Sequence, residues 1–477
     1  MPSASTIGEP ATRRLPSVER LARQLLTSMV TPGLTKAECI YAARIVLQRS
    51  RLAMGSGAGA PEPNELLRAA ADELLKIALP TVTPCINATG VVLHTGLGRA
   101  RLAHEAAAAI AATARCHSTL EVDRDTGARG CRGDRAGRLL SMLTGAEHAL
   151  IVNNCAAAVF LCITALASGR EVIISRGELV EIGGSFRMPD IIRAAGARLV
   201  EVGSTNRTRI ADYARACTPE TAMILRCRPS NFAMTGFTEA ATTEELVALG
   251  RANGVPVMMD QGSGSVVPTV PADGGTADCL GGSVASGCSL VTASGDKLLG
   301  GPQCGVILGD RATLTRIGSH PVARTLRVDK LTLAGLEATL SLYSEPERAR
   351  LAIPTLRYLC RTPDELKRAA RTLQRMLIRR LLPNTADVRV APGLSAVGGG
   401  SLPDEHLPTT VVVIAPRPDG ISASQLAWRL RQARLPVFGR LSAGYLLLDV
   451  RTVDREEMVQ LADAVAEALR GGDLDSG

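Results

Sequence analysis

Aromatic side chains are scarce in this chain: 2% of its 477 residues are Phe, Trp or Tyr, and only one is Trp. Its cores must therefore be built from Ala, Val, Leu and Ile, within a composition that is 46% hydrophobic and 21% charged. No run of about 18 apolar residues occurs, which argues against a transmembrane helix. Met1 to Arg14 lack the apolar stretch of a secretory signal. The 12 cysteines stand singly, with no C-x-x-C pair and no metal-like Cys/His spacing. They read as reduced, mostly buried small residues of a cytoplasmic protein, and no metal site is expected. Charge of one sign is nearly absent as an excess: 54 Lys and Arg against 46 Asp and Glu leave +8, with a pI of about 9.0. That permits a polyanionic partner without demanding one. There is no internal repeat.

A chain of this length exceeds one ordinary core, so two or three domains are expected. Residues 1–15 are polar and read as loose. Helices are expected over 17–29, 35–48 and 64–78, with Thr35 as an N-cap and Glu38 closing a capping box. A Gly/Pro-rich linker falls at 55–63 and a Pro-rich break at 80–84. The first section, 1–80, is thus a small helical module, and a bare dimerisation arm is its plainer reading. From 81 to 340 short apolar runs alternate with amphipathic ones. Strands are expected at 149–153, 172–175, 198–202, 222–225, 255–260, 290–293 and 305–308. Helices are expected at 105–115, 132–143, 156–167, 187–195, 210–216 and 243–252. This alternation predicts an α/β fold with a mostly parallel sheet covered on both faces, its ligand beyond the carboxyl ends of the strands. The last section, 341–477, reads as a small α/β domain. Its helices fall at 363–382, 422–432 and 454–469, its strands at 409–414 and 445–449, and its end frays after Arg470.

Within that frame, Lys297 sits in Ser294-Gly295-Asp296-Lys297-Leu298-Leu299-Gly300-Gly301 at the end of an apolar strand-like run. A lysine at a strand end, flanked by small residues, suits a Schiff base to an aldehyde cofactor. The glycines leave room for a flat ring, and Ser294 can hydrogen-bond a phosphate. Upstream, Met258-Met259-Asp260-Gln261-Gly262 ends a second strand in an acid. An acid there can keep a pyridine nitrogen protonated, making the ring an electron sink. Acid first and lysine second, each at a strand end, reads as pyridoxal 5'-phosphate chemistry; alone, a lysine in a glycine-rich loop is usually a solvated surface residue. Asn153-Asn154-Cys155-Ala156 joins the first full strand to its helix, and the amides of such a start form an anion site for the cofactor phosphate.

Three other segments carry candidates. Ile86 to Ala100 is a glycine-rich loop in which Arg99 can grip an oxyanion. Its His94 reads as a turn residue rather than a base. Leu120 to Arg132 is dense in charge, either a solvated face or a substrate-gripping loop. In His320 to Lys330, Arg324 and Arg327 lie three apart, so that a helical turn would aim both guanidinia the same way, as an oxyanion grip or as two surface arginines. Cys155 and Cys304 read as packing thiols.

These motifs together resemble the bacterial selenocysteine synthases, the L-seryl-tRNA(Sec) selenium transferases. The likeness is carried by Ile86 to Gly90, Leu97 to Ala100, Asp123 to Arg132, Asn153-Asn154, Ser230-Asn231-Phe232, Gly262-Ser263-Gly264, Ser294 to Gln303, Leu326 to Lys330, Val397 to Pro403 and Leu446 to Val453. It runs in order from about residue 15 to 465. The resemblance implies a type I pyridoxal-phosphate fold, aspartate aminotransferase-like, with Lys297 as the internal aldimine. It implies a selenophosphate site made by Arg99, Arg324, Arg327 and Asp296, and an N-terminal module that holds the tRNA. It also implies a homo-oligomeric ring of dimers, a decamer, with neither membrane nor DNA as partner. The implied reaction removes water from seryl-tRNA(Sec) through an aminoacrylate and adds selenium from selenophosphate, giving selenocysteyl-tRNA(Sec). The chain departs from the family at Gly96, where Asn is usual, at His117-Ser118-Thr119 in place of Tyr-Ser-Asn, at Gln261 and near Arg228. A related lyase acting on a small sugar-acid or amino-acid phosphate is the alternative; such relatives tend to lack the N-terminal module.

Overall fold

The computed structural model describes residues 15–28, 34–78, 80–182, 186–228, 231–232, 234–267, 279–401 and 406–470. The loose N-terminus, the frayed end after Arg470, Ser230 and the Leu402-Pro403 pair lie outside them. The chain divides into two compact units, Met1–Pro84 and Cys85–Gly477.

The first unit is three helices, α1 (Val18–Ser28), α2 (Lys36–Gly55) and α3 (Pro63–Ala78). Thr35 caps α2 and Glu38 bonds back to its amide at 2.7 Å, closing the expected capping box. The helix runs seven residues beyond its expected end, because no Gly or Pro interrupts it before Gly55. Leu21, Leu25, Leu47, Leu66 and Leu74 make an aliphatic core.

The second unit is built on a seven-stranded sheet: β1 (His148–Val152), β2 (Glu171–Ser175), β3 (Arg198–Val202), β4 (Thr221–Cys227), β5 (Val257–Gly262), β6 (Leu290–Ser294) and β7 (Gly305–Gly309). The order is β1-β7-β6-β5-β4-β2-β3. All pairs are parallel except those of β7, which runs against both neighbours. Each strand expected between 81 and 340 is in this sheet. Of the covering helices, α4 (His104–Arg115), α5 (Asp134–Thr144), α6 (Cys155–Ala167), α7 (Met188–Ala194), α8 (Ile210–Ala216) and α9 (Thr243–Asn253) coincide with expected ones. Side chains alternate across each strand. Val172, Ile174, Met258 and Leu290 therefore pack on α6 and α7, whereas Ile173, Ile224 and Val257 pack on α8 and α9. Between Gly309 and Pro363 the sequence offers no regular period, yet helices form at Arg311–Ser319, Pro321–Thr325, Lys330–Leu342, Pro346–Ala352 and Pro354–Cys360. A proline opens three of them at the first turn, where its missing N–H costs nothing.

A second, antiparallel sheet follows: β8 (Ala386–Ala396), β9 (His406–Pro416), β10 (Arg440–Ser442) and β11 (Tyr445–Asp449), in the order β8-β9-β11-β10. β8 was hidden in the sequence by Pro392 and Gly393; it lies at the sheet edge, where a proline removes no ladder bond. The segment Ile86–Asn87 pairs with Val437–Phe438, and Leu93 N–H donates to Val397 O at 2.8 Å. Asp449, fully buried, accepts from Ser395 at 2.8 Å and Thr409 at 2.9 Å. Its carboxylate fills the space a side chain at Gly90 would need. The glycine-rich loop is thereby clamped at one end by the second sheet before it reaches Arg99.

Candidate active site

β1 ends at Val152 and α6 begins at Cys155, so the turn between them is two residues. Asn154 caps the helix, its side-chain oxygen accepting from the Ala157 amide at 2.8 Å. The Cys155 and Ala156 amides, as first-turn donors, have no intrahelical acceptor. Gly305, opening β7, lies so close that an added Cβ would stand 2.1 Å from Asn154 O; only glycine lets this strand approach the helix start. The Asn153 amide donates to Leu326 O at 3.0 Å. The arginine-bearing segment is thus stitched to the same strand end.

Lys297 lies in the turn after β6, and the rest of the chain holds that turn on three sides. Gly295 N–H donates to Cys304 O at 2.9 Å, Leu298 N–H to Ser263 O at 3.0 Å, and Ala100 N–H to Asp296 O at 3.2 Å. Cys304 is a packing thiol, as expected: it is fully buried beneath Gly295. Lys297 is 5% exposed. Burial lowers its pKa from the ordinary lysine value, Arg99 acting in the same direction against the pull of Cys155, Asp260 and Asp296. Ser294 ends β6 beside the Cys155 thiol.

Asp260 lies deep in the molecule at the carboxyl end of β5, its carboxylate partly open to the cleft. Burial raises its pKa against the bonds it accepts. Thr292 donates to Oδ1 at 2.9 Å and the Cys155 thiol to the same oxygen at 3.3 Å. Among the described residues, Oδ2 receives no side-chain hydrogen bond. A buried carboxylate held by Thr292, Cys155 and the Gly262 amide, with burial opposing its charge, is stabilised further by a cationic donor. The protonated nitrogen of a pyridine ring meets that need, the amides of α6 meet a phosphate, and Lys297 meets an aldehyde. The residues present therefore fit pyridoxal phosphate.

Arg99 follows Gly98 and itself adopts a left-handed backbone (φ 61°). Its guanidinium bonds Asp296 at 2.9 Å, so these two predicted residues and Lys297 form one cluster. Arg324 and Arg327 do not join that cluster within the chain. With Arg132 they line a separate recess of about 480 Å³ behind β1. Arg327 bonds Glu121 at 3.2 Å, and Glu121 also holds Arg129 and Arg132. The charged loop at 120–132 is in this way tied to the arginine segment, and most of its surface remains in solvent. The His94 carbonyl, not its ring, completes the turn by accepting from Leu97 and Arg99; Nδ1 is buried without a partner.

Three residues escaped sequence reasoning. Cys155 was read as a packing thiol beyond its backbone amide, but its side chain bonds the ring acid. Thr292 bonds that acid too, and a lone polar residue inside an apolar run was the available signal. The third, Glu178, follows β2 and is 8% exposed. Burial pushes its carboxyl up to about 7, against Arg226 and the Cys227 amide. Nothing local in Arg176-Gly177-Glu178 announces this, since burial comes from distant residues. A carboxyl raised in the folded state stabilises fully below its unfolded value, near 4.5, and loses that contribution as pH rises through about 7. Glu178→Gln should therefore gain on the parent by on the order of 3 kcal/mol between about pH 5 and about pH 8. Denaturant midpoints at both pH values check this; an identical pH dependence in the two proteins would contradict it.

The sheet order, the α6 anion site and the Asp260–Lys297 pair define a pyridoxal-phosphate enzyme of the aminotransferase-like fold class. Comparison with known proteins makes this specific. The profile of the L-seryl-tRNA selenium transferase family matches residues 85–454, and the chain belongs to that family. It is 45% identical over 470 residues to the L-seryl-tRNA(Sec) selenium transferase of Moorella thermoacetica, covering 96% of this chain and 97% of that one. It is 48% identical over 384 residues to the protein of that name from Nitratidesulfovibrio vulgaris, covering 80% and 81%. A solved structure of D-glucosaminate-6-phosphate ammonia-lyase superposes with a TM-score of 0.57 at 22% identity, covering 83% of this chain and 97% of that one. That likeness shows the fold alone.

Proposed function

We propose that Lys297, Asp260 and Arg99 carry the family reaction in this chain, the conversion of seryl-tRNA(Sec) to selenocysteinyl-tRNA(Sec). The observation that carries the assignment is the buried lysine electrostatically coupled to Asp260, whose Oδ1 is held by Thr292 and Cys155. When bound, pyridoxal phosphate supplies an aldehyde for the serine amine and a ring that draws electrons from Cα. Asn154, Cys155 and Ala156 hold the phosphate at the start of α6, with Ser294 beside them. Asp260 Oδ2 orients and charges the ring nitrogen. Thr292 and Cys155 fix Oδ1, so the carboxylate does not rotate.

Lys297, favoured in its neutral form by burial, takes the proton from serine Cα through Nζ. It then returns a proton as the β-hydroxyl leaves as water. Arg99, oriented by Asp296, presents a fixed cation to the incoming anionic selenium donor, selenophosphate. The family resemblance adds Arg324 and Arg327 to that donor's site, although within one chain they line a recess apart from Arg99. Supporting this, their segment is bonded to the strand end that starts α6, and both line one recess. Arg324→Ala should lower selenium transfer by on the order of tenfold to a hundredfold and leave cofactor absorbance unchanged. Loss of the cofactor instead would make the arginine a structural or phosphate-binding residue.

The helical unit at 1–80 holds the tRNA in this reading. Tyr41, Arg44, Gln48 and Arg51 form an exposed row along α2, offering a stacking ring and phosphate-directed cations. The large domain at 81–340 holds the cofactor, and 341–477 forms the small C-terminal α/β domain. The assembly is a ring of dimers in the cytoplasm. Among the described residues no helix is long and apolar enough to cross a membrane. The direct test is formation of selenocysteinyl-tRNA(Sec) by purified, cofactor-loaded protein from seryl-tRNA(Sec) and selenophosphate. Absence of product under conditions where the cofactor is bound rejects the reading.

A further inference from the structure

A cavity of about 580 Å³ opens at the carboxyl ends of β2, β4 and β5, on the face covered by α8 and α9. Strand alternation relates it to the lysine site. Arg226 of β4 and Met259 of β5 line the cavity. The next residue of each strand, Cys227 and Asp260, faces the other way, where Asp260 meets Cys155 and acts on the Cys227 thiol. The two sites therefore share strand ends and open on opposite faces of the sheet.

The cavity wall carries a buried acid. Glu178 Oε2 accepts from the Cys227 amide at 3.0 Å. Among the described residues its Oε1 has only the Arg226 Nε at 4.0 Å, beyond hydrogen-bond reach, and so keeps acceptor capacity. At the mouth Phe232 and Met234 are each 36% exposed, and Phe237 nearby is 84% exposed. In a chain with 2% aromatics, Phe232 offers a ring at the cavity lining and Phe237 a second exposed ring five residues on. Arg207 and Arg228 add positive charge to the lining.

We propose that this cavity receives the terminal adenosine of the aminoacyl-tRNA, resting on the reaction assigned above. A stacking ring, a buried carboxyl that can accept from an exocyclic amine, and arginines for phosphate oxygens are the three contacts a single-stranded nucleotide end requires. Every aminoacyl-tRNA carries its amino acid on the ribose of such an adenosine. With the base against Phe232 and Glu178, the ester leads across the shared strand ends toward Lys297. The protonation state of Glu178 changes near neutral pH, so the amine contact strengthens as the carboxylate forms.

The test uses full-length protein loaded with pyridoxal phosphate, with AMP and UMP as probes in equilibrium dialysis. AMP should bind saturably and UMP, which lacks the exocyclic amine, at least about tenfold more weakly. Phe232→Ala should weaken AMP at least about fivefold. It should raise KM for seryl-tRNA more than it lowers kcat and leave cofactor absorbance unchanged. Glu178→Gln should flatten the pH dependence of AMP affinity. Absence of AMP binding, equal binding of AMP and UMP, or an unchanged KM in Phe232→Ala overturns the site; equal binding would mark a simple anion pocket. Protein that forms selenocysteinyl-tRNA yet fails these tests sinks this site alone. Protein that forms no product sinks the assigned reaction and this proposal with it.

Discussion

Lys297→Ala will lose turnover by at least roughly a thousandfold, the scale of removing a proton-transfer group that is also the covalent anchor. The same variant will lose the yellow absorbance of lysine-bound cofactor and will show no cofactor-sized mass increase after borohydride reduction. The reason lies in the turn that carries the lysine. Three backbone bonds from Cys304, Ser263 and Ala100 fix it, and burial lowers the pKa of the amine. No other lysine is placed at a strand end of the central sheet, so nothing nearby substitutes. Because Lys297 is 5% exposed, truncation also leaves a small void. A thermal unfolding measurement separates loss of chemistry from loss of fold. Parental absorbance or turnover above about one-tenth of the parent would remove Lys297 from the mechanism.

Asp260→Asn is expected to lower kcat by on the order of a hundredfold or more while the cofactor remains bound through Lys297. Asn is close to isosteric and retains an oxygen to accept from Thr292 and Cys155, at 2.9 and 3.3 Å in the parent. It removes the negative charge that keeps a ring nitrogen protonated. In the parent, burial raises the Asp260 pKa, so the carboxylate is most favoured when a cation sits against its open oxygen. The acid and the cofactor ring thus stabilise each other's charged forms, and the neutral amide supports neither. The check is kcat alongside cofactor stoichiometry. A kcat within about twofold of the parent would show that the ring does not depend on this acid.

The two variants also separate what was legible in the residues from what was not. The positions of Lys297 and Asp260 at strand ends could be read locally, because each is a charged residue closing an apolar run, with glycines next to it. A strand of five to seven residues has few alternatives, and all seven strands of the sheet were legible for that reason. The helices from Arg311 to Cys360 were not. Several are short and proline-led, and they are held by packing, Lys330–Leu342 against α4 and α5 and Arg311–Ser319 against α6, rather than by their own period. β8 was invisible because Pro392 and Gly393 break its pattern, and an edge position tolerates both.

The chain's order of residues determined, by itself, the α/β alternation, the helix start after Asn154, and the placing of an acid and a lysine at strand ends. These depend on neighbours within a few positions, where propensity and alternation act. Tertiary structure alone decided that the Cys155 thiol bonds Asp260, that Arg324 and Arg327 share a recess apart from Arg99, and that Glu178 is buried beside a cavity. Those outcomes turn on desolvation and contact between segments tens to hundreds of residues apart, such as Arg327 with Glu121. A side chain's pKa and partners follow from what surrounds it in space, and no local pattern carries that information.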